Sequence, residues 1–112
     1  MSEKIFAAID KYIKQHDIVL FMKGNALVPQ CGFSNTVVNI LRNLRVDFKD
    51  IDVLEDEDLR QAIKEYSNWP TIPQLYIKGE FIGGCDIVME MYESEELESL
   101  LVKKGVLSTS ES

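Results

Sequence analysis

Residues 29–36 of this 112-residue chain read PQCGFSNT, and Cys31 is the side chain there best able to do chemistry. It follows Pro29 in a loop and precedes Gly32. An apolar pattern of helical spacing then runs from Ser34 through Val37, Ile40, Leu41 and Leu44. A thiol at a helix N-terminus meets backbone N–H groups without intrahelical partners and the positive end of the helix dipole. Both favour thiolate, the nucleophilic and metal-ligating form, and such cysteines reach pKa values of about 3.5–7.5. Gly32 lets a substrate approach the backbone closely. Lys23, just past the first strand, stands at the same end of the sheet and can add positive charge beside the sulfur. Many redox proteins carry a second cysteine three places after the first; here that place is Ser34. Cys31 must therefore use an external thiol, use Cys85, or do something other than dithiol exchange.

The rest of the chain bounds what that thiol can serve. The length allows one domain with a real core. The net charge of −7 opposes a sequence-independent grip on nucleic acid, which needs Lys and Arg to neutralise phosphates. It equally disfavours anionic membranes, and no apolar run approaches the roughly 20 residues of a membrane span. Two cysteines are too sparse for a secreted disulfide scaffold. The opening MSEKIFAAIDKYIKQHD lacks a secretory layout and is acidic for a mitochondrial leader. Bacterial cytoplasm is the expected compartment, with a mitochondrial matrix the alternative where a presequence has been removed. His16 stands alone, gives no metal-ligand spacing, and is assigned to the surface.

The elements that must position Cys31 follow from periodicity. Residues 3–15 read as an amphipathic helix and DIVLFM (17–22) as a buried strand. Residues 23–30 are loop. Residues 46–53 alternate as a strand. The acidic run 55–58 suits the start of a third helix that continues through Leu59, Ala62, Ile63 and Tyr66. Pro70 and Pro73 make 67–73 loop. Residues 74–84 form a hairpin about Lys78-Gly79. Helical spacing then runs unbroken over 86–104, and 105–112 reads as a frayed tail. The expected architecture is α/β: a small mixed sheet flanked by helices, with a right-handed crossover between its parallel strands.

The stretches KGNALVPQCGFS and NWPTIPQLYIKGEFIGGCD, at their spacing, resemble the single-domain monothiol glutaredoxins over nearly the whole chain. The resemblance implies a thioredoxin-like fold, with a glutaredoxin domain over 1–107 and a flexible tail over 108–112. One departure is visible: after Lys23-Gly24 the family usually continues Thr-Pro, and here it is Asn25-Ala26. The resemblance also implies a glutathione site. In it Lys23 and Arg60 hold the glycine carboxylate, and Phe33 packs beside Cys31. Thr71 and Ile72 pair with the tripeptide backbone, before Pro73 in the cis form. Gly84, Cys85 and Asp86 meet the γ-glutamyl end. Taken singly, Lys23 and Arg60 would be surface charges, Asp86 a helix cap and Trp69 loop packing; only the joint pattern lifts them.

Two functions follow from this. The first is iron–sulfur delivery. A 2Fe–2S cluster takes four thiolates, and two chains with two glutathiones supply four, so the cluster would bridge a homodimer with Cys31 as the protein ligand. The resemblance implies a role in cluster assembly and iron homeostasis, with BolA-type proteins and apo iron–sulfur proteins as partners. The second is a weak glutathione-dependent thiol–disulfide oxidoreductase with Cys31 as nucleophile. Cys85 leaves two alternatives open: a Cys31–Cys85 disulfide, and a cluster held by both cysteines of two chains.

Overall fold

The computed structural model describes residues 2–107. Its centre is β1 (Ile18–Met22), buried at every position. Ile18, Leu20 and Met22 enter one core and Val19 and Phe21 the other, because side chains alternate across a strand. A strand covered on both faces reads as an unbroken apolar run, which is why IVLFM shows no alternation. Each fully buried Leu, Ile or Phe contributes about 1.5–3 kcal/mol.

Beside β1 lie β2 (Lys49–Asp52), parallel to it, and β3 (Gln74–Ile77), antiparallel; β4 (Glu80–Gly83) pairs with β3. The order is β2-β1-β3-β4. Lys78 and Gly79 both have positive φ, the tight turn expected of the hairpin. Helices α1 (Ser2–Gln15) and α3 (Glu57–Ser67) share one core with Val19, Phe21 and Tyr76. Helices α2 (Gly32–Asn43), α4 (Cys85–Glu93) and α5 (Glu96–Lys103) share the other with Leu20, Leu75 and Ile77. The mixed sheet between helical layers is the expected class.

Four boundaries differ from the sequence reading. Helix α2 begins at Gly32, so Cys31 itself is the N-cap residue. Strand β2 is shorter than 46–53: the Val46 N–H donates back to the Leu41 carbonyl, and a 3-10 turn takes Val53–Glu55. The helix expected over 86–104 is two, broken at Ser94-Glu95, where Glu95 takes φ 69. Gly105–Leu107 are not frayed. Gly105 (φ 79) turns the chain, and the N–H groups of Val106 and Leu107 donate to the Leu101 carbonyl, closing α5. The tail expected over 108–112 lies outside the described residues.

The loop between β1 and α2 is tethered at many points. The Gly24 N–H donates to Asp52 Oδ1 (2.9 Å) and the Ala26 N–H to Asp50 Oδ2 (2.7 Å), both carboxylates belonging to β2. Arg42 Nη2 of α2 donates to the Ala26 carbonyl (3.0 Å). Asn25 Oδ1 accepts from the N–H groups of Leu27 and Val28, a local turn that asparagine forms well. The Gln30 N–H donates to the Lys23 carbonyl (2.9 Å) and delivers the chain to Cys31. The departure Asn25-Ala26 is thus accommodated by its own bonds, and it leaves Leu27 and Val28 exposed.

Candidate functional site

Two helix N-termini and one loop form a cleft of about 430 Å³, within the size range of small-molecule sites. The first turn of α2 contributes Cys31 and Phe33, and the start of α4 contributes Cys85, Asp86 and Ile87. The loop Trp69–Pro73 forms the wall between them, Lys23 stands at the end of β1, and Lys64 reaches in from α3. Of the residues expected here, Lys23, Cys31, Phe33, Thr71, Ile72, Pro73, Gly84, Cys85 and Asp86 all line the cleft. The Ile72–Pro73 bond is cis.

Arg60 does not line it. Its guanidinium lies 3.6 Å from Glu57, and its Nε is buried without a partner. Lys64, which the sequence reading passed over, lines it instead. It sits four residues further along α3, on the same face and nearer the loop that the helix leads into. That i+4 relation to Arg60 was the available signal. Trp69 both packs its ring on Phe81 (5.7 Å between centroids) and lines the cleft, so loop packing and site wall are one role. Gly84 permits this: a Cβ there would stand 3.2 Å from both Trp69 Nε1 and the Pro73 carbonyl. His16 is exposed, as expected.

Cys31 is partly exposed, in extended backbone (φ −152, ψ 135), and its side chain makes no cap hydrogen bond. The Ser34 N–H aimed at the sulfur holds its pKa below the usual thiol value. Burial opposes this, while the Phe33 N–H, the Lys23 charge and the Ser34 hydroxyl add to it. Ser34 has a second task. It is fully buried, and its Oγ accepts from the Lys23 N–H (3.1 Å), tying the end of β1 to the first turn of α2. Cys85 goes the other way: burial raises its pKa, and the charges of Asp86 and Cys31 raise it further. Both cysteines are free thiols. One cleft therefore holds an activated thiol and a resting one. As pH is raised, Cys31 is expected to alkylate with iodoacetamide at lower pH than Cys85. Mass spectrometry of the two cysteine peptides measures this, and coincident pH profiles would contradict the assignment.

Chemically the cleft offers two thiols, that of Cys31 being the more readily ionised, two ammonium groups, one carboxylate and main-chain groups. No hydrogen bond within the protein, among the described residues, uses the N–H of Thr71 or Ile72. No helix among the described residues is long and apolar enough to cross a membrane.

A glutaredoxin family profile matches residues 18–82. A chloroplastic monothiol glutaredoxin of Oryza sativa subsp. japonica is 56% identical over 108 residues, covering 96% of this chain and 64% of the relative. The chain thus spans just under two thirds of that relative. An uncharacterised monothiol glutaredoxin of the cyanobacterium Synechocystis is 52% identical over 101 residues, covering 90% of this chain and 94% of its own. The solution structure of a monomeric truncated mutant of Trypanosoma brucei 1-C-Grx1 superposes with TM-score 0.84 at 43% identity, covering 91% of this chain and 93% of that one. These relatives span chloroplast and bacterium, so the similarity itself does not tie the chain to one compartment.

Proposed function

This chain belongs to the monothiol glutaredoxin family, and from that premise we propose that it binds glutathione in the cleft. We propose further that it carries a labile 2Fe–2S cluster bridged across a homodimer, for iron–sulfur cluster assembly and transfer and iron homeostasis. The observation that carries the reading is one activated thiol, Cys31, in a cleft that otherwise suits an extended tripeptide with charge at both ends.

The residues fit glutathione group by group. Lys23 and Lys64 suit the glycine carboxylate, with Arg60 one turn behind Lys64 on α3. The unpaired N–H groups of Thr71 and Ile72 suit an extended peptide backbone. At the other end the N-terminus of α4 suits the γ-glutamyl carboxylate, and Asp86 in its first turn suits the amine. Phe33, exposed beside Cys31, covers the sulfur side. Glutathione would supply a second thiolate next to Cys31.

The cluster is the cargo. Among the described residues no three His, Cys, Asp or Glu side chains converge as a metal site. The chain has two cysteines, so four thiolates are reached with two chains, each giving Cys31 and either glutathione or Cys85. A cluster held by so few protein bonds releases readily, which suits delivery to apo iron–sulfur proteins, with a BolA-type protein as a further partner. Neither nucleic acid nor membrane enters this reading, and bacterial cytoplasm remains the proposed compartment.

The lowered thiol pKa also favours a second reading, thiol–disulfide exchange. The Cys31 thiolate attacks the glutathione sulfur of a mixed disulfide, forming a Cys31–glutathione disulfide and releasing the other thiolate. A second glutathione thiolate then attacks that disulfide, giving oxidised glutathione and restoring Cys31.

Anaerobic reconstitution with iron, sulfide and glutathione separates the two. A brown dimer by visible absorption and gel filtration is the expected outcome. A colourless monomer with substantial turnover in a glutathione-coupled disulfide assay would replace the carrier by the enzyme.

A further inference from the structure

Gln74 opens β3 directly after Pro73 and is fully buried. Burying an amide is costly unless its hydrogen bonds are made. Its Nε2 donates to the carbonyl of Trp69 (3.2 Å) and to that of Thr71 (3.2 Å), and its Oε1 accepts from the Tyr76 hydroxyl (3.4 Å). Both hydrogens of one amide thus hold two carbonyls, one on each side of Pro70. Pro70 and Pro73 have no N–H to give, so the loop between them has few bonds of its own. The Trp69 N–H donates to the Lys64 carbonyl at the end of α3, and among the described residues no further main-chain bond within the protein holds 70–73. A single buried side chain therefore fixes the segment that walls the cleft. An apolar residue of the same length could fill the space, but it could not bind those carbonyls.

We propose that Gln74 is the positioning residue of this site: by holding the Trp69 and Thr71 carbonyls inward, it sets the main chain of Thr71–Ile72 in the register at which it meets a tripeptide backbone. The proposal rests on the glutathione reading above. Gln74 touches no ligand itself; it acts through Thr71 and Ile72. Tyr76, packed against Phe21 and Phe81, anchors the amide from behind and fixes which end faces the loop.

The test uses Gln74→Met, which keeps the length and loses both donors, and Gln74→Glu, which keeps the shape and retains at most one O–H donor when the buried carboxyl is protonated. Three quantities are read on the full chain: glutathione affinity by calorimetry, the pH titration of the Cys31 thiolate by ultraviolet absorbance, and amide exchange at Thr71 and Ile72 against global unfolding. Loss of both hydrogen bonds in the Met variant is expected to leave glutathione affinity at least about tenfold weaker. The Cys31 titration is expected to stay where it was, with local exchange faster than the change in global stability accounts for. Affinity within about twofold of the unaltered protein, with only the unfolding midpoint lowered, overturns the proposal. Should the unaltered protein bind no glutathione, the site reading fails, and local exchange then decides for Gln74: unchanged exchange overturns its role and faster exchange supports it. If the Met variant does not fold, the Glu variant reads the same three quantities.

Discussion

Cys31→Ser is expected to lose all cluster colour on reconstitution and all glutathione-coupled turnover, yet to melt no lower than the unaltered protein. The functional loss follows from removing the one activated sulfur; deleting a nucleophile costs at least about a thousandfold in turnover. The stability result follows from the fold. Cys31 is the N-cap residue of α2, it makes no cap hydrogen bond, and it is partly exposed. Serine is among the preferred N-cap residues, and a cap of that kind is worth about 0.5–2 kcal/mol. The serine oxygen would stand where the Ser34 and Phe33 N–H groups now face sulfur. A higher melt would mean that function at this position is held at some cost to stability. Visible spectra after reconstitution and thermal melts of the two proteins measure both halves. A variant that melts much lower would mean the thiol supports the fold. Cys85→Ser in the same experiment should keep most of the colour; its loss would assign the cluster to both cysteines of two chains.

Gly24→Ala is expected to destabilise by about 2–5 kcal/mol, because left-handed backbone costs alanine about 1–2 kcal/mol and overfilling a packed space about 1–3. Gly24 has φ +84, and a Cβ on it would lie 2.5 Å from the Gln30 nitrogen and 2.6 Å from the Val28 carbonyl oxygen. Both are backbone atoms of a loop tethered at many points, so neither can swing aside as a side chain would. The melting temperature should fall by at least about 10 °C. Glutathione binding should weaken as well, since the loop joins Lys23 to Cys31. A melt within a degree or two of the unaltered protein would show the loop to be far softer than its bonds imply.

Much of this was legible in the chain because local signals agreed with the global fold. The apolar run IVLFM, the Pro-bounded loop 67–73 and the Lys78-Gly79 turn each have one physical reading. The thiol of Cys31 before a helical pattern showed its place at a helix N-terminus, while leaving open what that thiol serves. The illegible features depend on groups distant in sequence or on weak preferences. The loop 24–30 takes its shape from Asp50 and Asp52, more than twenty residues downstream. The break between α4 and α5 was invisible because apolar spacing runs straight through it, and a glutamate, which has no liking for positive φ, makes the turn. The start of α2 at Gly32 was hidden because glycine is a poor helix former. Lys64 and Arg60 share one helix face, and periodicity cannot say which turn of that face meets a cleft.

The buried hydroxyl of Ser34 bears on how this scaffold could change. Restoring a cysteine three places after Cys31 resembles a one-atom exchange of oxygen for sulfur. Here that oxygen also receives the Lys23 N–H, and sulfur is a weak acceptor. The exchange would loosen the joint between strand and helix at the same stroke as it supplied a resolving thiol. Converting this protein from one-thiol to two-thiol chemistry is therefore coupled to the strand–helix joint, and a second change that re-anchors Lys23 would offset the bond that sulfur weakens.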